Sequence, residues 1–214
     1  MYDAARLEGR RIAVYGSAGA PWHHLALAAV HGAEVGVVRA EDIKAGRLDA
    51  WDALVMPGGG ATAMHGMLEP LGLDGASTLR SWVRRGGTYV SSCAGSVLPI
   101  ALDDEAAISL PVAQSMRMVD VRLANPGDAT LGGLASPGVG VIEIRVDPRH
   151  RFSAALPERM PIMHYNGPFF DLSTPTPGVQ PFAWPTAASR AFTYAEHFLA
   201  GGVDTNKVFD ACVS

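Results

Sequence analysis

A cysteine set in a run of small residues, Gly86-Gly87-Thr88-Tyr89-Val90-Ser91-Ser92-Cys93-Ala94-Gly95-Ser96-Val97-Leu98, constrains this chain more than any other stretch. Thr88, Tyr89 and Val90 favour a strand, and Ala94-Gly95-Ser96 leave the backbone free to turn straight after it. The pattern predicts a short buried strand running into a sharp turn and then a helix. Such a turn is a nucleophile elbow: tight torsions push the side chain at its apex into a cleft, and only Ala, Gly or Ser fit beside it. Cys93 then stands at a helix N-terminus, where the dipole and unpaired amides favour an anion. A free cysteine elsewhere is usually a small buried apolar residue. The strand before Cys93 and the small residues after it favour a nucleophile instead.

With 48% hydrophobic and 18% charged residues, 214 residues suffice for one α/β domain spanning 1–214. The net charge is -4, lysine occurs only at Lys44 and Lys207, and the arginines are scattered, so the chain offers no basic face for nucleic acid. No uninterrupted apolar run reaches the length of a membrane span, and Met-Tyr-Asp-Ala-Ala-Arg-Leu-Glu carries charge where the apolar segment of a signal peptide would lie. These features predict a cytoplasmic protein that does not engage a membrane. Cys93 and Cys212 make no disulfide framework, and in a reducing compartment a well-placed thiol reads as reactive.

Along the chain, Arg11 to Tyr15 predicts a first buried parallel strand, closed by Gly16-Ser17-Ala18-Gly19. A helix follows from Pro21, with Trp22, Leu25, Ala26, Ala29 and Val30 expected inward and Gly32 just past its end. Gly16-x-x-Gly19 is a weak phosphate-binding signal without a P-loop lysine. His23 and His24 are adjacent on that helix, with no partner cluster for a metal, and neither metal nor cofactor is expected. Ala33 to Val38 and Ala53 to Met56 read as the next strands, the latter entering Pro57-Gly58-Gly59-Gly60. Consecutive glycines there either form an ordinary flexible turn or expose the backbone N–H groups that an oxyanion hole requires. Asp74 to Arg85 predicts a helix with Leu79, Trp82 and Val83 inward and Gly86 at its end. Strands alternating with helices imply right-handed crossovers, so the loops after the first, third and Cys93 strands open on one edge of a parallel sheet.

Beyond Ile100 the pattern changes. Met116 to Leu123 and Val139 to Val146 alternate as half-buried strands of an antiparallel insertion, with Ala124 to Gly138 a Gly/Pro-rich loop between them. Val119, Val121 and Leu123 are expected on one face of the first, and Ile142, Ile144 and Val146 on one face of the second. An apolar strand from Pro161 ends in the polar pair Tyr165-Asn166 and a Gly-Pro turn. A loop from Ser173 to Pro181 leads to a last helix with Ala188, Ala191, Phe192, Ala195, Phe198 and Leu199 as its inner stripe.

Pro57-Gly58-Gly59-Gly60, the Gly86 to Gly95 elbow and Tyr165-Asn166-Gly167-Pro168 together resemble the class I glutamine amidotransferase-like superfamily, and within it most the family named after the N-terminal domain of biotin-protein ligases. The resemblance runs from Arg11 to about Phe170. It implies a flavodoxin-like, doubly wound sheet with helices on both faces, Cys93 as a nucleophile forming a thioester, and an oxyanion hole from N–H groups near Gly59 and Ala94, with Gly58, Gly60 and Tyr165 beside the substrate. Nothing resembles a biotin ligase catalytic domain, so biotinylation is not implied. The His-Pro-Glu motif usual in amidotransferases is absent, and Ser91 replaces their common glycine. In His164-Tyr165-Asn166, alternate residues point the same way, so His164 stands as base and Asn166 as its orienting partner, or His164 merely lines the pocket. The implied activity is a cysteine-dependent hydrolase or amidotransferase acting on a small amide, free-standing or paired with a separate ammonia-accepting synthetase. The alternatives are a non-catalytic small-molecule-binding module of the same fold, and a relative of the isonitrile-hydratase and deglycase proteins. In the latter branch His often follows the cysteine, where this chain has Ala94.

Overall fold

Continuous runs of Val, Ile, Leu and Ala become parallel strands because a sheet covered on both faces buries every position of a strand. β1 (Arg11–Tyr15), β2 (Glu34–Val38), β3 (Ala53–Met56) and β4 (Thr88–Ser91) form one parallel sheet in the order β2-β1-β3-β4. Val14 lies level with Val37 on one side and Val55 on the other, and Val55 with Val90. The computed structural model describes residues 7–17, 19–30, 32–58, 63–100, 111–123, 139–154, 156–165, 168, 170–171 and 175–186. The chain divides into two compact units, Met1–Ile100 with Leu110–Met118, and Ala101–Ser109 with Val119–Ser214.

In the first unit, alternate strand residues face opposite helices. Ile12, Val14 and Val55 cluster with Ala20, which opens α1 (Ala20–Leu25), and with Ala33; Leu27, from the π-helical turn Ala26–Val30, packs on the same cluster. Tyr15 points the other way, where its hydroxyl donates to the Met67 carbonyl (3.0 Å) of α3 (Ala63–Arg84). α3 also packs against α2 (Ala40–Lys44) and α4 (Pro111–Met116). Helices therefore cover both faces, and the unit is a mostly parallel α/β layer structure. Burial, with Glu41 as the lesser cause, pushes the Tyr15 phenol up to about 12. The unfolded chain loses this proton more readily, near pH 10, so stability is retained below that pH and falls as pH rises towards 12. Urea midpoints measured from pH 9 to 12 are expected to drop less in Tyr15→Phe than in the parent protein.

Several expectations change here. The helix expected at Asp74–Arg85 is the second half of a longer element, broken at Gly72, whose φ of 60° and ψ of −177° interrupt the helical path just after Pro70. Leu79 and Trp82 are buried as expected. Gly86 (φ 104°) donates to the Val83 carbonyl and Gly87 to that of Trp82, which ends α3 and aims the chain into β4. β4 itself is the edge of the described sheet, with Val90 49% exposed, rather than a buried strand. The apolar positions expected inward on the first helix face out: Trp22, Leu25, Ala26 and Ala29 are exposed, whereas Ala20 is buried and His23, His24 and Leu27 are half-buried. These four positions also follow helical spacing, and the docking of Ala20 on the sheet selects them. Met116 ends α4 instead of starting a strand, because Pro111 suits a first helical turn and Ala113 and Met116 bury one face.

The second unit is antiparallel. β5 (Arg122–Leu123) pairs with β8 (Phe170–Asp171), so the strand expected from Met116 is only two residues long. β6 (Val139–Val146) lies between β7 (Arg159–Tyr165) and β9 (Ala183–Pro185). β6 matches its expected span, with Ile142 and Val146 buried on one face. On the other face Glu143 accepts from Arg159 Nη1 (3.2 Å) and Thr186 Oγ1 (2.9 Å), and the Arg145 guanidinium lies 5.7 Å from the Trp184 ring. The loop expected from 124 to 138 and the helix expected from 188 to 199 lie outside the described residues. No described helix is long and apolar enough to cross a membrane.

Candidate functional site

The chain leaves β4 through Ser92, still extended (φ −138°, ψ 152°), and turns at Cys93, whose φ of 51° is the single positive value outside glycine among the described residues. A left-handed residue with a Cβ is strained and persists only where its surroundings over-determine it. Those surroundings are close-packed backbone. A Cβ on Gly58 would lie 2.3 Å from Cys93 Cβ, 2.8 Å from its Sγ and 3.0 Å from the Ala94 nitrogen. A Cβ on Gly95 would lie 2.1 Å from the Met56 carbonyl oxygen, and one on Gly19 2.4 Å from that of Gly58. The loops after β1, β3 and β4 are thus stacked at the C-terminal edge of the sheet, where open α/β sheets bind ligands.

Hydrogen bonds hold the stack. Ser92 N–H donates to the Met56 carbonyl (3.2 Å), Gly95 N–H to the Ser92 carbonyl (3.0 Å), and Gly19 N–H to the Gly58 carbonyl (2.8 Å). Tyr89 Oη donates to the Gly95 carbonyl at 2.7 Å, and burial raises that phenol so that it keeps its proton. From α1, His23 Nε2 lies 2.9 Å from Ser92 Oγ, one residue before the cysteine. Burial lowers the His23 pKa, which favours the neutral imidazole. The Cys93 side chain is half-buried.

Two local expectations are corrected. The turn after Cys93 is a four-residue 3₁₀ helix, Cys93–Ser96, not an α-helix, because Gly95 must lie flat against the β3 carbonyls. Its dipole is correspondingly small. In the loop Gly16 to Gly19 the described N–H groups are already engaged and do not cradle a phosphate: Gly16, Ser17, Gly19 and Ala20 donate to the Val38, Tyr15, Gly58 and Ser17 carbonyls. Gly19 serves close backbone contact instead.

Of the residues expected at the site, Cys93, Gly58 and Ala94 are brought together in the first unit. His164 is buried in β7 of the second unit, in register with Gly140 and on the same strand face as Ile162, which pairs with Ile142. Tyr165 closes β7. Gly59, Gly60 and Asn166 lie outside the described residues. Among the described residues no group of three His, Cys, Asp or Glu side chains could hold a metal ion. Sequence reasoning missed His23, Ser92, Tyr89 and Gly95. The Ala20, His23, His24, Leu27 spacing fits a helix face no better than the apolar stripe beside it, and the partner of His23 lies 69 residues away, so the sequence carries no signal for the contact.

No family model matches this chain, and no curated protein matches it. Among solved structures it is similar to a Thermoplasma acidophilum chain provisionally described as one of the subunits of a GMP synthase. The TM-score is 0.50 and the identity 15%, over 84% of this chain and 75% of that one. It is also similar to a glutamine amidotransferase from Thermotoga maritima, with TM-score 0.44 and 11% identity, over 76% of this chain and 63% of that one. The first likeness supports the fold alone, a mostly parallel sheet layered with helices.

Proposed function

We propose that the chain is a cysteine-dependent hydrolase or amidotransferase-like enzyme acting on a small amide. The observation that carries this reading is the left-handed turn at Cys93 with Gly58 pressed against its sulfur. That packing supports a thiol presented at the mouth of the β3 and β4 loops. In the proposed reaction the Cys93 thiolate attacks the amide carbon, and the carbonyl oxygen becomes an oxyanion held by N–H groups of the Gly58-Gly59-Gly60 loop and Ala94. The C–N bond breaks as His164, positively charged after taking the thiol proton, returns a proton to the leaving amine. Water then attacks the thioester carbon, giving a proton to His164; the C–S bond breaks to release the acid, and the Cys93 thiolate takes that proton back from His164. Asn166 orients the imidazole, and Tyr165 lines the substrate side. The description of one similar structure as part of a synthase supports a separate synthetase as acceptor of the ammonia. The motif resemblance supports the biotin-protein ligase N-terminal domain family as the branch, and a cytoplasmic setting goes with a reactive free thiol.

Ammonia release from glutamine, asparagine and simple primary amides, followed with purified protein, tests the reading. Turnover of none of them, with Cys93 unreactive, would leave the non-catalytic binding module as the better account. If turnover is found, His164→Ala is expected to lower kcat by about 10²-fold or more with a melting temperature close to the parent, and Asn166→Ala to give a smaller loss of the same kind. Near-normal kcat in His164→Ala would remove that residue from the mechanism.

A further inference from the structure

A helix that packs on a sheet normally turns its apolar stripe inward, yet α1 buries Ala20, half-buries His23 and His24, and leaves Trp22 76% exposed. One of the two half-buried imidazoles reaches the elbow: His23 Nε2 lies 2.9 Å from Ser92 Oγ. Ser92 is the last extended residue before the left-handed Cys93. Its N–H is held by β3 through the Met56 carbonyl, and its carbonyl is held by the turn through Gly95 N–H. Its side chain is held by α1. With both backbone groups of Ser92 fixed by β3 and the turn, the His23 bond adds the restraint on its side chain, at the residue whose ψ sets where the Cys93 Cα begins its turn.

We propose that His23 is a positioning residue of the Cys93 site, acting through Ser92 to fix the direction in which the thiol is presented. The inference rests on the reading of Cys93 as the nucleophile. A neutral imidazole can either accept the Ser92 hydroxyl proton or donate to its oxygen, so the bond needs the hydrogen-bonding capacity of His23 and not its charge. Glutamine keeps that capacity in either direction, whereas alanine does not.

The test is the rate at which iodoacetamide alkylates Cys93 in the full chain at fixed pH, followed by mass spectrometry of the Cys93 peptide and referred to glutathione. His23→Ala and Ser92→Ala are each expected to slow labelling roughly threefold to tenfold, the range that the net worth of one hydrogen bond spans. The double variant is expected to be no slower than either single one, because both delete the same bond. His23→Gln is expected to react at the parent rate, and all are expected to melt close to the parent. A His23 that only filled space would not give this non-additivity together with rescue by glutamine. Should His23→Ala fail to fold, Ser92→Ala deletes the bond from its other end and decides by the same rate. Parent-like labelling in both alanine variants, or slowing that glutamine does not restore, overturns the role of His23 and leaves the nucleophile reading intact. A parent protein whose Cys93 reacts no faster than glutathione overturns the nucleophile reading, and this inference with it.

Discussion

Cys93→Ala is expected to abolish ammonia release from any amide the parent hydrolyses, by a factor on the order of 10⁴ or more, because no other group replaces a covalent nucleophile. The same variant is expected to melt within about 2 °C of the parent, a shift worth less than about 1 kcal/mol for a chain of this size. Alanine keeps the Cβ that the turn already accommodates at φ 51°, and only a half-buried sulfur is lost. Ammonia release measured beside thermal melting gives both numbers. Residual turnover above about one part in a hundred would show that the thiol does not carry the chemistry. Loss of activity with loss of the fold would make Cys93 structural, in line with what buried cysteines usually do.

Gly95→Val is expected to be the more disruptive change for the fold. Its Cβ would meet the Met56 oxygen at 2.1 Å, the Met56 carbonyl carbon at 2.8 Å and the Pro57 oxygen at 2.9 Å. All three are backbone atoms, and no rotamer change relieves them. Either the elbow lifts off β3 or β3 shifts, and overpacking of this kind costs about 1–3 kcal/mol, with each kcal/mol worth about 2–4 °C in melting temperature. Lifting the elbow also moves Cys93 relative to Gly58, so alkylation of the thiol is expected to change along with stability. Gly32→Ala is the control, since its φ of 65° strains any side chain but nothing lies within 4 Å. It is expected to lower stability slightly and leave Cys93 chemistry unchanged. If Gly95→Val melts like Gly32→Ala, the close stacking of elbow on β3 is wrong.

The parallel strands were legible because burial on both faces writes itself as short runs of apolar residues, and β1 and β3 match their expected spans. The elbow was legible for a related reason: only small residues tolerate backbone at van der Waals contact, so Gly58, Ala94 and Gly95 mark where two loops touch. The inward face of the first helical segment was not legible because α1 and the π-helical turn after it, Ala20 to Val30, carry two stripes at the same spacing. Trp22, Leu25, Ala26 and Ala29 fit an apolar face as well as Ala20, His23, His24 and Leu27 fit a mixed one. Which stripe turns inward depends on how Gly19 and Ala20 dock, through a bond from Gly19 N–H to the Gly58 carbonyl, far along the chain. The Met116 to Leu123 alternation failed for a similar reason. Its apolar residues at even spacing suit a strand, but Met116 is buried from a helix that Pro111 opens, and helical contact with α3 outweighs local β preference.

By itself, then, the sequence determined the class of fold, the identity of the apex cysteine and the edge of the sheet at which its loops gather. These follow from local rules, since strand period, turn chemistry and the size limit beside a nucleophile act over a few residues. Tertiary structure alone decided that His23 reaches Ser92, that Gly19 contacts the Gly58 carbonyl, and that a four-residue turn replaces the expected helix after Cys93. Each of these depends on the relative placement of residues far apart in the chain, and hydrogen bonds and steric limits across such distances leave no periodic trace in the residues that make them.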